Sequence, residues 1–247
     1  NVLDDPEISD ERKLAIEYQV PLTSKRVDFI IAGEDDKGNN NVVIVEIKQW
    51  EDSKETQRDD IVITYTGGAL RSVTHPCYQA YSYAKTIESF NENVVRENIG
   101  LYPCAYLHNY EEVNRAHIDN ERYKNAISLA PIYLAKDTEK LRAFIKSYIK
   151  KRDKIDLLMK LENGKLKPAK ALQDSLASML KGNQEFFLID EQKVVYETVR
   201  KLVEKAVKEA NKNSAKYQKA VVICTGGPGT GKSVVAVQLL CNMIAKG

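Results

Sequence analysis

Residues 226–233 read Gly226, Gly227, Pro228, Gly229, Thr230, Gly231, Lys232 and Ser233, and no other stretch of the chain restricts its folding so tightly. Four glycines in eight positions let the backbone enter conformations closed to other residues and turn successive N–H groups onto one point. The run fits G-x-x-x-x-G-K-[ST] at each fixed position. A short apolar stretch (220–224) precedes it and a helical pattern (233–245) follows. That order, strand, loop, helix, sets the partial positive charge of a helix N-terminus against the loop. Such a cradle binds the phosphates of ATP or GTP. Lys232 is expected to reach the β- and γ-phosphates, and the Ser233 hydroxyl to ligate Mg2+. The alternative is a glycine-rich turn that happens to contain Lys-Ser, and the strand–helix context speaks against it.

Fourteen residues follow Ser233, too few for a strand ending in a second metal-binding acid, a water-positioning group and an arginine finger. The chain also opens on Asn1 rather than Met. It is therefore expected to be part of a longer protein and, alone, to bind nucleotide weakly or not at all and not to hydrolyse it.

An apolar fraction of 43% and a charged fraction of 29% belong to a globular chain. With no run of eighteen apolar residues and no basic-then-apolar leader, neither a membrane span nor export is expected. Cys77, Cys104, Cys224 and Cys241 form no CxxC and have no His at zinc-ligand spacing. A reducing cytoplasm is the expected compartment. The net charge of +2 hides an asymmetry: residues 140–170 hold nine Lys and two Arg against Asp153, Asp156 and Glu162. Such a segment either neutralises nucleic-acid phosphates or is a solvated helix face.

Three segments emerge. Residues 1–135 alternate strand-like and helix-like stretches: strands at 17–20, 26–32 and 42–49, a hairpin of 61–65 and 69–73 around Gly67 and Gly68, a helix from Pro76 to about Phe90, and a strand at 101–107. Residues 136–185 read as a basic helical linker, with Thr138 as N-cap of one helix and a second at 169–180. Residues 186–247 begin with Asp190 placed to cap a helix through about Ala210, then a polar connection and the glycine loop.

A second constellation lies in the first segment. Asp28 interrupts an apolar strand, and Glu46 and Lys48 interrupt a β-branched run. Residues two apart in a strand share a face, so Glu46 and Lys48 project together. If the two strands pair through the turn at 33–41, Asp28 lies beside them. Two carboxylates able to hold Mg2+ or Mn2+, with an ammonium alongside, suit phosphodiester hydrolysis. The alternative is an edge strand whose inward charges discourage aggregation. Glu-x-Lys alone favours that alternative. Asp28 on the preceding strand shifts the balance, since buried unpaired charges are costly.

Asp28 with Glu46, Ile47 and Lys48 resembles the PD-(D/E)xK nuclease core, and Gln79 with Tyr83 resembles the QxxxY motif of its RecB-like branch. The resemblance implies a restriction-endonuclease-like α/β fold, a mixed sheet flanked by helices, followed by a helical linker and the start of a P-loop NTPase domain. It also implies that Asp28, Glu46 and the Ile47 carbonyl ligate the metal, that Lys48 orients the attacking water, and that Gln79 and Tyr83 position DNA. The additional Glu that many such nucleases carry on a preceding helix has no convincing equivalent among Glu7, Glu11 and Glu17. The segment 186–195 is similar to the Q-motif region of superfamily 1 helicases, which casts Gln192 as a reader of adenine and favours ATP. The whole resembles a bacterial family that joins a nuclease-like head to an ATPase related to the helicase-like domain of the Schlafen proteins. By that analogy Trp50, His75, His108 and Tyr110 acquire possible roles, although each is more often a packing residue.

Three functions are thus expected to compete: a metal-dependent nuclease coupled to an ATP-driven motor on DNA or RNA; a catalytically inactive recognition module feeding a nucleotide switch; and an ATPase acting on another protein.

Overall fold

The structure, a computed structural model, describes residues 13–166, 178–179, 181, 186–212 and 221–246. The strands β1 (Lys13–Gln19), β2 (Arg26–Glu34) and β3 (Asn40–Lys48) form an antiparallel meander. After β3 come a short strand β4 (Lys54–Glu55) and the hairpin β5 (Ile61–Thr66) and β6 (Ala69–Thr74), which make a separate three-stranded sheet. Gly67 and Gly68 carry the hairpin turn at φ of 56° and 79°, values that a two-residue hairpin loop requires and that glycine adopts without strain. The chain returns to the main sheet as β7 (Gly100–Leu107), parallel to β3, and β8 (Ile132–Leu134), parallel to β7. The main sheet is therefore mixed, five strands in the order β1-β2-β3-β7-β8.

β3 lies at its centre, and from Asn41 to Glu46 every residue is buried. Valine and isoleucine dominate that run because a strand covered on both faces has no solvent side to leave polar. One face is covered by the helices α1 (Pro76–Phe90) and α5 (Leu157–Glu162), whose Tyr83, Ala84, Ile87, Leu157 and Leu161 pack on Ile30, Ala32, Val42 and Ile44. The other is covered by α4 (Thr138–Tyr148), whose Leu141 and Ile145 pack on Ile31, Val43 and Val45. The short helices α2 (Glu92–Arg96) and α3 (Lys124–Leu129) fill the ends of the crossovers. Two helices read from the sequence as linker, α4 and α5, are thus layers of the same core. The coarse expectation of a mixed sheet flanked by helices holds.

α1 begins and ends where the sequence places it. His75 caps it: Nδ1 accepts the Cys77 N–H at 3.3 Å, Nε2 lies 2.9 Å from the Ile118 carbonyl, and the ring stacks on Tyr123. Full burial lowers its pKa to about 4, so this imidazole stays neutral. It supports the helix rather than a reaction.

The last described elements are α6 (Glu191–Lys212) and α7 (Lys232–Lys246), which pack on each other through Leu188, Tyr196 and Val235. α6 docks against the second sheet through charge: Lys193 lies 3.1 Å from Asp60, Arg200 2.5 Å from Asp59, and Arg58 donates to Thr198 at 3.0 Å. Among the described residues no helix is long and apolar enough to cross a membrane.

Several local expectations need correction. Thr138 is the first residue of α4, not its cap; Asp137 precedes the helix and makes no capping bond, because its carboxylate holds Arg115, Lys140 (2.7 Å) and the Leu134 N–H (3.0 Å). Residues 221–224 form no strand and pair with none among the described residues, and Val221 and Ile223 are more than four-fifths exposed. A lone segment has no ladder to join. The basic segment is less bare than its composition implies, since Lys140, Arg142, Lys154 and Lys160 pair with Asp137, Glu139, Glu34 and Glu97. Neighbouring acids thus absorb part of its field. The helix expected at 169–180 lies almost wholly outside the described residues.

Candidate functional site

The antiparallel ladder between β2 and β3 places Phe29 opposite Val45 and then stops. One step further Asp28 faces Glu46, and the side chain takes over from the backbone: Asp28 Oδ2 accepts the Ile47 N–H at 2.7 Å. The β2–β3 pairing read from the turn at 33–41 is therefore present. Asp35 anchors that turn by accepting the Lys37 and Asn39 N–H groups, both at 2.9 Å.

Glu46 and Lys48 point to the α1 side of the sheet, as their even spacing with Val42 and Ile44 requires. Glu46 is 2% exposed, and Lys48 Nζ reaches its Oε1 at 2.6 Å. Burial pushes the Glu46 carboxyl up to about 7; Lys48 opposes that rise, while Asp28 and Asp190 add to it. Burial works against the Lys48 ammonium, but Glu46 beside it more than offsets this, and its pKa stands above the ordinary value. The second oxygen, Glu46 Oε2, is buried and has no hydrogen-bond partner. An orphaned buried oxygen costs about 1–3 kcal/mol, more on a charged group, so this arrangement is poor as stabilisation and points to a ligand.

α1 supplies the next pair. Gln79 and Tyr83 stand one turn apart, and Gln79 Nε2 donates to the Tyr83 hydroxyl at 2.9 Å. The hydroxyl in turn donates to Asp190 Oδ2 at 2.6 Å. Burial and the adjacent carboxylates of Asp190 and Glu46 drive the phenol's pKa far upward, so Tyr83 remains a donor. Lys25, the residue before β2, lies 3.1 Å from the same Asp190 oxygen and 2.7 Å from Glu191.

A cavity of about 540 Å³ opens above these groups, lined by Lys48, Trp50, Tyr65, Gln79, Asp190 and Lys25. Lys48 Nζ stands 5.9 Å from the Trp50 ring. Asp28, Glu46, Lys48, Gln79 and Tyr83, chosen from the sequence, thus come together. Trp50 lines the same cavity, whereas Tyr110 is buried against the Ser53 hydroxyl at 2.8 Å. Asp190 and Lys25 were missed. An acid directly before a helix reads as a cap, and nothing in its spacing signals a tyrosine 107 positions away.

Among the described residues no three His, Cys, Asp or Glu side chains are grouped to hold a metal ion. The acids that could contribute oxygens to a divalent cation are Asp28 and Glu46, and the unpartnered Glu46 oxygen fits that role.

The glycine loop lies in a second cavity of about 630 Å³, lined by Gly226, Gly229, Thr230 and Lys232 on one side and by Leu22 to Lys25 on the other. Gly229 and Gly231 sit at φ of 73° and 80°. A side chain at Gly231 would be strained there and would come within 2.3 Å of the Gln192 amide nitrogen. Lys232 Nζ donates to the Gly226 and Gly227 carbonyls at 2.8 and 2.6 Å, and the Thr230 hydroxyl to the Gly227 carbonyl at 2.9 Å. Pro228 begins the turn that follows Gly227, and Ser233 is exposed one residue into α7. Gln192 faces the loop with its amide engaged: Nε2 donates to the Thr230 carbonyl and Oε1 accepts the Ile189 N–H, both at 3.2 Å. Comparison of the chain with protein-family models, with curated proteins and with solved structures gives no match, so the site's own geometry carries its interpretation.

Proposed function

We propose that the cavity above β3 hydrolyses phosphodiester bonds of DNA or RNA with a divalent cation, and that the glycine loop binds ATP. The observation that carries the first part is the buried Glu46 carboxylate with one oxygen on Lys48 and the other unpartnered, one step from Asp28 on the neighbouring strand. Asp28, Glu46 and the Ile47 carbonyl would hold Mg2+ or Mn2+, as in the PD-(D/E)xK nucleases that the sequence resembles. When bound, such an ion supplies charge stabilisation at the phosphate and makes water more acidic. Lys48, kept charged by Glu46, orients the attacking water and faces the negative charge that develops on the phosphoryl oxygens. Gln79 presents the amide proton that Tyr83 does not take to the backbone of the nucleic acid, Tyr83 holds that amide in place, and the Trp50 ring borders the path of the strand.

The glycines at positive φ, the helix that opens at Lys232, and the hydroxyls of Thr230 and Ser233 support phosphate binding at the second site. Lys232 is held on loop carbonyls, from which it would turn to the phosphates. The adenine-reading role of Gln192 would need its amide to leave Thr230 and Ile189.

Purified protein is expected to cleave oligonucleotides with Mg2+ or Mn2+, and Lys48→Ala to remove that activity without unfolding the chain. Equal background cleavage by both proteins, across single- and double-stranded DNA and RNA, would end the proposal. A second reading, an inactive nucleic-acid-binding module, draws on two contacts: Lys48 is drawn onto Glu46, and one Asp28 oxygen is engaged by Ile47. Calorimetric titration with Mn2+ separates the two. The inactive module predicts no heat that depends on Asp28 and Glu46.

A further inference from the structure

The two cavities are neighbours with a common wall. Lys25 and Glu191 line both of them. Between them runs the four-residue segment 189–192, and its side chains face opposite ways. Asp190 turns into the phosphodiester cavity, where it takes the Tyr83 hydroxyl and Lys25; Gln192 turns to the glycine loop and holds Thr230. Ile189, whose N–H is bonded to Gln192, is buried in the core formed by β2, β3 and Tyr83. The link between the sites is therefore a single stretch of backbone with a hydrogen bond at each end.

Asp190 stands directly before α6, where its carbonyl accepts the Val194 N–H at 3.2 Å, but its carboxylate is turned away to Tyr83 and Lys25. Its backbone sits at φ 42°, a left-handed conformation uncommon for a residue with a side chain. The conformation is held by neighbours on the head: the Thr74 hydroxyl donates to its carbonyl at 3.0 Å, while Tyr83 and Lys25 hold its carboxylate. The Asp190 charge also acts on Glu46 and Lys48 directly.

We infer that Asp190 is a positioning residue of the phosphodiester site, supplied by the segment that also contacts the glycine loop, so that nucleotide bound at the loop alters cleavage through it. The inference rests on the reading of both cavities given above. Asp190 does not touch the reacting phosphate; it accepts the Tyr83 O–H, whose oxygen accepts from Gln79, and so fixes the Gln79 amide, which lines the cavity, in the orientation that meets the nucleic-acid backbone. Phosphates entering the loop must draw Lys232 from the Gly226 and Gly227 carbonyls and disturb the Thr230–Gln192 bond. Gln192 moves with Asp190 because only one residue separates them. Linkage then requires the reverse as well: a change at Tyr83 alters nucleotide affinity at the loop.

The test uses the whole chain and two readouts. A fluorescent ATP analogue with Mg2+ is titrated into wild type, Asp190→Asn and Tyr83→Phe. The inference expects its dissociation constant to shift at least threefold in both variants, although Tyr83 does not line the loop cavity. Cleavage of an oligonucleotide is then measured with and without a non-hydrolysable ATP analogue. Wild type should change its kcat at least twofold on adding the analogue. Asp190→Asn should lose about tenfold in kcat with KM for the oligonucleotide unchanged, and should no longer respond to the analogue. Thermal melting separates these effects from unfolding, and Tyr83→Phe serves if Asp190→Asn does not fold. Unchanged nucleotide affinity in Tyr83→Phe overturns the inference, as does failure of the wild type to bind nucleotide. Absence of Lys48-dependent cleavage sinks the phosphodiesterase reading alone; the titration still upholds or overturns the linkage.

Discussion

The β2–β3 site and the glycine loop are built on opposite plans. The first consists of side chains fixed by burial: Glu46 is 2% exposed, Tyr83 1%, and both belong to the sheet-and-helix core. The second consists largely of backbone, exposed from Val221 to Thr230 and shaped by glycines at positive φ. A side-chain site needs distant strands and helices to meet before any of its chemistry exists. A backbone cradle is written into eight consecutive residues and needs only a helix behind it. The first is therefore sensitive to packing around it, the second to local conformation.

The largest effect that would break this contrast is chemical. Lys48→Ala is expected to lower the cleavage rate by about 10³-fold with little change in melting temperature, measured by single-turnover cleavage with Mn2+. A loss much smaller than tenfold would mean that the buried ammonium is structural.

Packing comes next. Ile44 is fully buried in the central strand, two residues from Glu46 on the same face. Ile44→Ala should cost about 2–5 kcal/mol in urea unfolding and reduce cleavage along with stability. Nucleotide affinity measured well below the unfolding transition should move less than in Tyr83→Phe, because Ile44 reaches the loop only through Tyr83 and Ile189.

The loop has its own lever. Gly231→Ala places a Cβ at φ 80° and 2.3 Å from the Gln192 amide. Nucleotide affinity by fluorescence titration should fall at least tenfold while the melting temperature stays within a few degrees. A variant that binds nucleotide normally would show that the loop does not depend on its glycine geometry.

The smallest effect concerns acid. Burial alone would raise the Asp137 carboxyl, but Lys140, Arg115 and the Leu134 N–H outweigh it and hold the pKa at about 2. The folded value lies below the ordinary one near 3.8, so the stabilisation is fully present above about pH 4 and is lost as pH falls toward 2. It amounts to about 2 kcal/mol. Asp137→Asn should remove that part of the acid dependence, read from melting temperatures between pH 5 and 2.

Much of the first region could be read locally. The β-branched run of β3, the two glycines of the β5–β6 turn and the Pro76 start of α1 each carry their own signal. So does the pairing of the strands that carry Asp28 and Glu46, across a turn short enough to force adjacent strands. The misreadings share a cause. Thr138 has the residue type of a cap but stands one position inside α4, and Asp190 stands before α6 as its neighbours imply, yet its carboxylate is taken by residues far along the chain, Tyr83 and Lys25. Residues 220–224 have the composition of a strand, but strand formation needs a neighbour to supply the hydrogen bonds.

The sequence by itself determined which residues are candidates for chemistry and how the backbone turns around them, because periodicity, glycine conformation and motif spacing act over a few residues. Only the tertiary structure decided that Asp190 joins Tyr83, that Glu46 keeps one oxygen unpartnered, and that the two cavities share Lys25 and Glu191 as a wall. Those outcomes depend on burial and on contacts across more than a hundred residues, and short-range preferences hold no record of either.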